Sequence, residues 1–129
     1  MNKRNIILIG MPGAGKSSVG VILAKVLGYE FIDTDLVIQH REKRLLREII
    51  ADEGNEGFLA IENEVNATLE ADKSVIAPGG SAIYGREAME HFKEIGTIVY
   101  LKLSYEDLAK RLGNLKGRGV VLKLSLIHI

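Results

Sequence analysis

Four short apolar runs punctuate the chain, and each gives way to a turn and then to residues of helical periodicity. The runs are Ile6-Ile7-Leu8-Ile9, Glu30-Phe31-Ile32, Ser74-Val75-Ile76-Ala77 and Thr97 to Leu101, and each has the length of a buried strand. Between them, Val19, Ile22, Leu23, Val26 and Leu27 form the apolar face of a helix over 16–27, with Gly28 where a helix-ending glycine belongs. Asp33-Thr34-Asp35 opens a helix reaching about Arg44. Another covers 45–51 and is broken by Asp52-Glu53-Gly54, and a third runs over 56–71 with Phe58, Ile61, Val65 and Leu69 at helical spacing. A helix over 87–95 ends at Gly96, and Ser104 caps a last one through about Leu112. Short strands alternating with helices predict an α/β fold with a parallel sheet flanked by helices in three layers. Ligands in such sheets bind at the carboxyl ends of the strands.

The turn after the first strand carries the chemistry. Gly10-Met11-Pro12-Gly13-Ala14-Gly15-Lys16-Ser17 fits G-x-x-x-x-G-K-[ST], the phosphate-binding P-loop. Strand, glycine-rich turn and following helix all agree with it, against the plainer reading of a strand–turn–helix corner. In a P-loop the backbone N–H groups of Gly13, Ala14, Gly15, Lys16, Ser17 and Ser18 wrap phosphate oxygens, and the helix points its positive end at the same anion. Lys16 is then expected to reach the β- and γ-phosphates of ATP, and Ser17 to ligate Mg²⁺.

Composition narrows the partners. The chain has 129 residues, 47% hydrophobic and 26% charged, enough for one domain with a real core. Seventeen basic and seventeen acidic residues cancel, so no basic face points to nucleic acid or a membrane surface. No cysteine is present, which excludes disulfides and thiolate chemistry. The first apolar run stops at Gly10, too short for a signal or a membrane span. A cytoplasmic monomer acting on a small molecule is expected.

Many P-loop proteins hold Mg²⁺ with an aspartate at the end of a further strand. Here the third and fourth strands end in Ala77-Pro78 and Leu101-Lys102, so only Asp33-Thr34-Asp35 supplies carboxylates. Strand alternation would put Asp33 and Asp35 on one side, beside the phosphate loop. Asp33 is expected to orient a Mg²⁺ water, and Asp35 to accept the proton of an acceptor hydroxyl. The plainer reading is a helix start with acids for capping. No Asn-Lys-x-Asp segment reads guanine, so a small-molecule kinase is favoured over a GTPase switch. Residues 112–119 form a glycine-flanked basic loop, and Arg118 in it is suited to neutralise transition-state charge.

Taken together, the P-loop, Asp33-x-Asp35, Glu53-Gly54-x-x-Gly57-Phe58, Gly79-Gly80-Ser81 and the Arg111 to Arg118 spacing resemble the shikimate kinase family. The likeness runs from about Asn5 to Leu122 in order. It implies a P-loop NTPase-type fold with five parallel strands, a substrate-binding helical part and a lid. It also implies transfer of the ATP γ-phosphoryl group to a hydroxyl of shikimate, with Asp35, Gly79 and Gly80 at the substrate, Arg118 on the lid and Arg111 near adenine.

Two departures stand out. The family grips the shikimate carboxylate with an arginine after the Phe58 position, and here that residue is Leu59. Glu62, which would orient that arginine, lacks its partner, and Arg41, Lys43, Arg44 and Arg47 are the nearby cations. The second departure is the end of the chain. Residues 1–123 read as a P-loop kinase domain whose last strand and helix are missing. Residues 124–129, Leu-Ser-Leu-Ile-His-Ile, match a reading frame of a sequencing adapter and read as a non-native tail. A kinase of another small hydroxyl acceptor, and a non-catalytic nucleotide-binding module, remain as alternatives.

Overall fold

A computed structural model describes residues 4–10 and 16–101. Its elements are β1 (Asn5–Gly10), α1 (Lys16–Leu27), β2 (Glu30–Asp33), α2 (Thr34–Glu42), α3 (Leu46–Ala67), β3 (Ser74–Ala77), a 3₁₀ turn (Ala82–Tyr84), α4 (Arg86–Ile95) and β4 (Gly96–Leu101). The four strands are parallel, in the order β2-β3-β1-β4. From β1 the chain crosses by α1 to the outer strand β2, and from β3 it crosses by α4 to the other side of β1. The winding therefore reverses between β1 and β3, where a doubly wound sheet opens its ligand crevice.

Both sheet faces are covered, which is why β1 and β3 read as unbroken apolar runs. Leu8, Val75, Val99 and Leu101 pack against Val19, Leu23 and Ala24 of α1. On the opposite face Ile7, Ile9 and Ile76 meet Phe92 of α4, with Ile98 and Leu69 alongside. A third cluster joins Ile38 of α2 to Ile49 and Val65 of α3, flanked by Phe58 and Ile61.

Asn5 is almost fully buried at the amino end of β1. Its side chain donates to the carbonyls of Ala71 and Ile95, both at 2.9 Å, and accepts from the Ser74 N–H at 3.0 Å. One amide thus satisfies three backbone groups that no ladder reaches.

The predicted elements recur with small shifts of boundary. The two helices expected around residue 54 are joined as α3, with a kink at Gly54, whose φ of 75° and ψ of 175° are non-helical. That conformation belongs almost to glycine alone. A Cβ there would meet nothing within 4 Å, so the cost of one is purely backbone strain. Gly54→Ala is expected to lower unfolding stability by about 1–3 kcal/mol, read by urea denaturation. The expected Ser104 helix, the lid, Arg111, Arg118, the fifth strand and the 124–129 tail lie outside the described residues, as do Gly13, Ala14 and Gly15.

Candidate active site

The carboxyl ends of β1, β2 and β3 converge. Asp33 pairs in register with Ala77, and β1 ends at Gly10. Six residues after Gly10, Lys16 opens α1, and its ammonium Nζ donates to the Gly10 carbonyl at 2.8 Å. Ser17 and Ser18 follow in the first turn with exposed side chains.

Asp33 and Asp35 are adjacent for a reason other than strand alternation. β2 stops at Asp33, and Asp35 already belongs to α2. Asp33 is the N-cap of α2, its Oδ1 accepting the Asp35 N–H at 2.9 Å. The capping reading of this acidic pair therefore holds for Asp33. It leaves the second Asp33 oxygen outside the cap.

Asp35 is half-buried, and its carboxyl is pushed above the usual aspartate range. Desolvation is the main cause and the Asp33 charge adds to it, while Lys16 pulls the other way. Lys16 is shifted down, by desolvation first, with Asp35 opposing. The two groups feel each other's charge without a direct ion pair, an arrangement suited to facing a third, charged body between them.

Gly79 closes on this pair from β3. A methyl group in place of its hydrogen would stand 2.8 Å from Asp35 Oδ1 and 3.1 Å from Glu62 Oε2, so a side chain here would push the Asp35 carboxylate aside. Gly80 beside it is exposed.

Glu62 is the residue whose placement matters most. It projects from α3 and is only 2% exposed. Ser81 Oγ donates to its Oε1 at 2.7 Å, and its Oε2 is buried with no hydrogen-bond partner among the described residues. Burial pushes its carboxyl up, Ser81 holds it down, and Asp35 raises it further. The signal for this burial was in the chain: Glu62 lies four residues after Phe58 and three before Val65, inside the apolar stripe of α3. Beside it a cleft of about 270 Å³ opens between α3 and the turn before α4, lined by Leu59, Glu62, Asn63, Ser81, Tyr84 and Arg86 among others.

Two of the nearby cations are occupied elsewhere. Arg44 bonds Glu42, Asp52 and Glu53, and Arg41 bonds Glu64. Lys43 and Arg47 are exposed. His91 is half-buried with a ring nitrogen 2.6 Å from the Leu69 carbonyl. No helix among the described residues is long and apolar enough to cross a membrane.

A family model described as shikimate kinase matches residues 12–126. The chain is 39% identical over 109 residues to shikimate kinase 2 of Yersinia enterocolitica, covering 84% of this chain and 63% of that one. It therefore spans a little under two thirds of the length of the curated relatives it matches. Among solved structures it is similar to shikimate kinase from Acinetobacter baumannii in complex with shikimate, with a TM-score of 0.71 and 36% identity over 88% of this chain and 64% of that one. The shikimate kinase from Aquifex aeolicus gives 0.67 and 33%, over 80% and 62%. A parallel sheet wound around a central β1, a lysine at the start of α1 and the likeness to these proteins agree: this chain belongs to the shikimate kinase family.

Proposed function

We propose that this chain carries out ATP-dependent phosphorylation of a ring hydroxyl on shikimate. The observation that supports it most is the placement of Lys16 and Asp35 across one crevice, each altering the other's proton affinity, with Gly79 packed on Asp35. The acceptor oxygen attacks the γ-phosphorus of ATP while the bond to the β,γ-bridging oxygen breaks, and ADP departs with that electron pair. The hydroxyl proton passes to Asp35. A carboxylate whose proton affinity is raised by desolvation is the better base for it. Lys16 balances negative charge on the transferring group from the side of the phosphate loop.

Mg²⁺ fits the donor set, since Ser17 offers an exposed hydroxyl and Asp33 an oxygen its cap does not use, both hard ligands. When bound it would supply positive charge to offset that of the phosphates. In this reading the amides of Gly13, Ala14, Gly15, Ser17 and Ser18 cradle the phosphates. Arg118 closes over them, Arg111 lies by the base, and Gly80 lines the acceptor beside Gly79. We place the reaction in the cytoplasm and in a monomer.

Release of ADP with Mg²⁺-ATP, measured with and without shikimate by a coupled assay, tests the reading. Acceptor-dependent turnover is expected. Nucleotide binding with no acceptor-dependent turnover would instead fit a nucleotide-binding module.

A further inference from the structure

We propose that Ser81 is a positioning residue for phosphoryl transfer to shikimate: its hydroxyl ties the turn that carries Gly79 to Glu62 of α3, and so sets the acceptor's place against Asp35. The inference rests on the kinase reading and adds a residue to it.

The need for such a tie comes from where the sheet ends. The ladder between β2 and β3 closes with the pair Asp33 and Ala77. Asp35 and Gly79 each lie two residues beyond that pair, so no hydrogen bond of that ladder sets the distance between them. Yet they approach so closely that a Cβ on Gly79 would stand 2.8 Å from Asp35 Oδ1. A base and its acceptor react only when held in a narrow range of geometry, and contacts remote from the reacting atoms supply that precision.

The Ser81 hydroxyl is not used by its own turn. A serine beside a turn commonly bonds the backbone a few residues away. Ser81 opens the 3₁₀ turn Ala82–Tyr84 with no such side-chain bond. Its Oγ instead donates to Glu62 Oε1 at 2.7 Å, nineteen residues back on α3. Glu62 is buried, on a helix packed against both α2 and α4, so its carboxyl group is a fixed anchor. The other oxygen of that group, Oε2, lies 3.1 Å from the Cβ position of Gly79. One carboxyl group therefore meets both Ser81 and Gly79. The Ala82 N–H closes on the Gly79 carbonyl at 3.0 Å, so Gly79 and Ser81 move together.

A second tie, one residue along α3, holds the far end of the same segment. Asn63 Oδ1 accepts the Ala88 N–H at 3.0 Å, and its Nδ2 donates to Glu87 Oε2 at 2.9 Å. That amide stands in for the side-chain cap that Gly85 does not give α4. The two ties hold different things. Asn63 anchors the start of a helix, whereas Ser81 anchors the turn that meets Asp35.

The test uses the protein that carries this chain, with steady-state kinetics on shikimate and Mg²⁺-ATP and with thermal melting. Ser81→Ala is expected to lower kcat about 10-fold or more with KM for ATP unchanged. Ser81→Thr restores the hydroxyl and should recover most of that loss. Asn63→Ala should do the reverse, lowering the melting temperature with kcat near native. Native kcat in Ser81→Ala, or a loss that Ser81→Thr leaves untouched, overturns the inference and leaves the kinase reading standing. Equal kcat losses in Ser81→Ala and Asn63→Ala do the same, since both ties would then serve stability alone. A native protein that turns over no shikimate overturns both readings. Should Ser81→Ala not fold, Ser81→Cys decides: its thiol fills the space but donates weakly, so kcat should still fall, and native kcat overturns the inference.

Discussion

Lys16→Ala is expected to lower kcat by about 10²–10³-fold, the usual cost of removing one preorganised charge donor from a transition state. The position leaves little to take its place. Lys16 is the first residue of α1, and its Nζ is tied at 2.8 Å to the carbonyl that ends β1. Strand and helix therefore fix its stem, and the ammonium is already partly stripped of water, as its lowered proton affinity records. A charge in that condition acts more strongly on a nearby phosphate than one in bulk solvent. Lys16→Arg keeps the charge but replaces a compact ammonium by a planar fork. It should recover nucleotide binding better than turnover. Coupled ADP release and nucleotide titration on both variants check this. A Lys16→Ala protein retaining more than about a tenth of native kcat would remove Lys16 from its assigned role.

Asp35→Asn is expected to cut kcat by about 10²-fold or more while raising the melting temperature. The kinetic part follows from losing the proton acceptor. The stability part follows from the sign of the shift. Native Asp35 holds its proton more tightly than an aspartate in the unfolded chain, because of desolvation and Asp33. Between the two pKa values the native state binds more protons, so stability falls as pH rises through that window and stays lower above it. Asparagine never ionises and escapes that penalty. Calorimetry at neutral pH should show the gain, and it should vanish in acid below both pKa values. The acid limb of kcat/KM should lie above the ordinary aspartate range. A drop in melting temperature at neutral pH would mean that the Lys16 attraction outweighs desolvation. The same trade of stability for activity recurs wherever a site holds a desolvated acid.

The sheet was legible because its strands obey a simple rule. A parallel strand covered on both faces is apolar throughout, and Ile6 to Ile9 and Val75 to Ala77 have no other plausible home. The start of α1 at Lys16 was legible for the same kind of reason, since the motif follows a strand and opens a helix. The acidic pair was legible in location, but the chain allowed two geometries, strand alternation and a capped helix start, and the hydrogen bond from the Asp35 amide to Asp33 decides for the cap. The 3₁₀ turn at Ala82–Tyr84 is too short for any period to announce it. The loss of a partner for Glu62 could be read beside Leu59, but its burial could not be read from charge alone, because an acid inside an apolar stripe is ordinarily assumed to turn outward.

Asn5 carries a consequence for how the chain comes off the ribosome. Its three bonds reach across 66, 69 and 90 residues, and β1 itself is flanked by β3 and β4, both made much later. β1 thus waits for partners made much later in the chain. Until residues 74–77 have left the exit tunnel, Ile6 to Ile9 have open edges on both sides, and the edge that β4 covers stays open until 96–101 have followed. A nascent chain of this topology depends on chaperone cover or rapid translation through its first hundred or so residues.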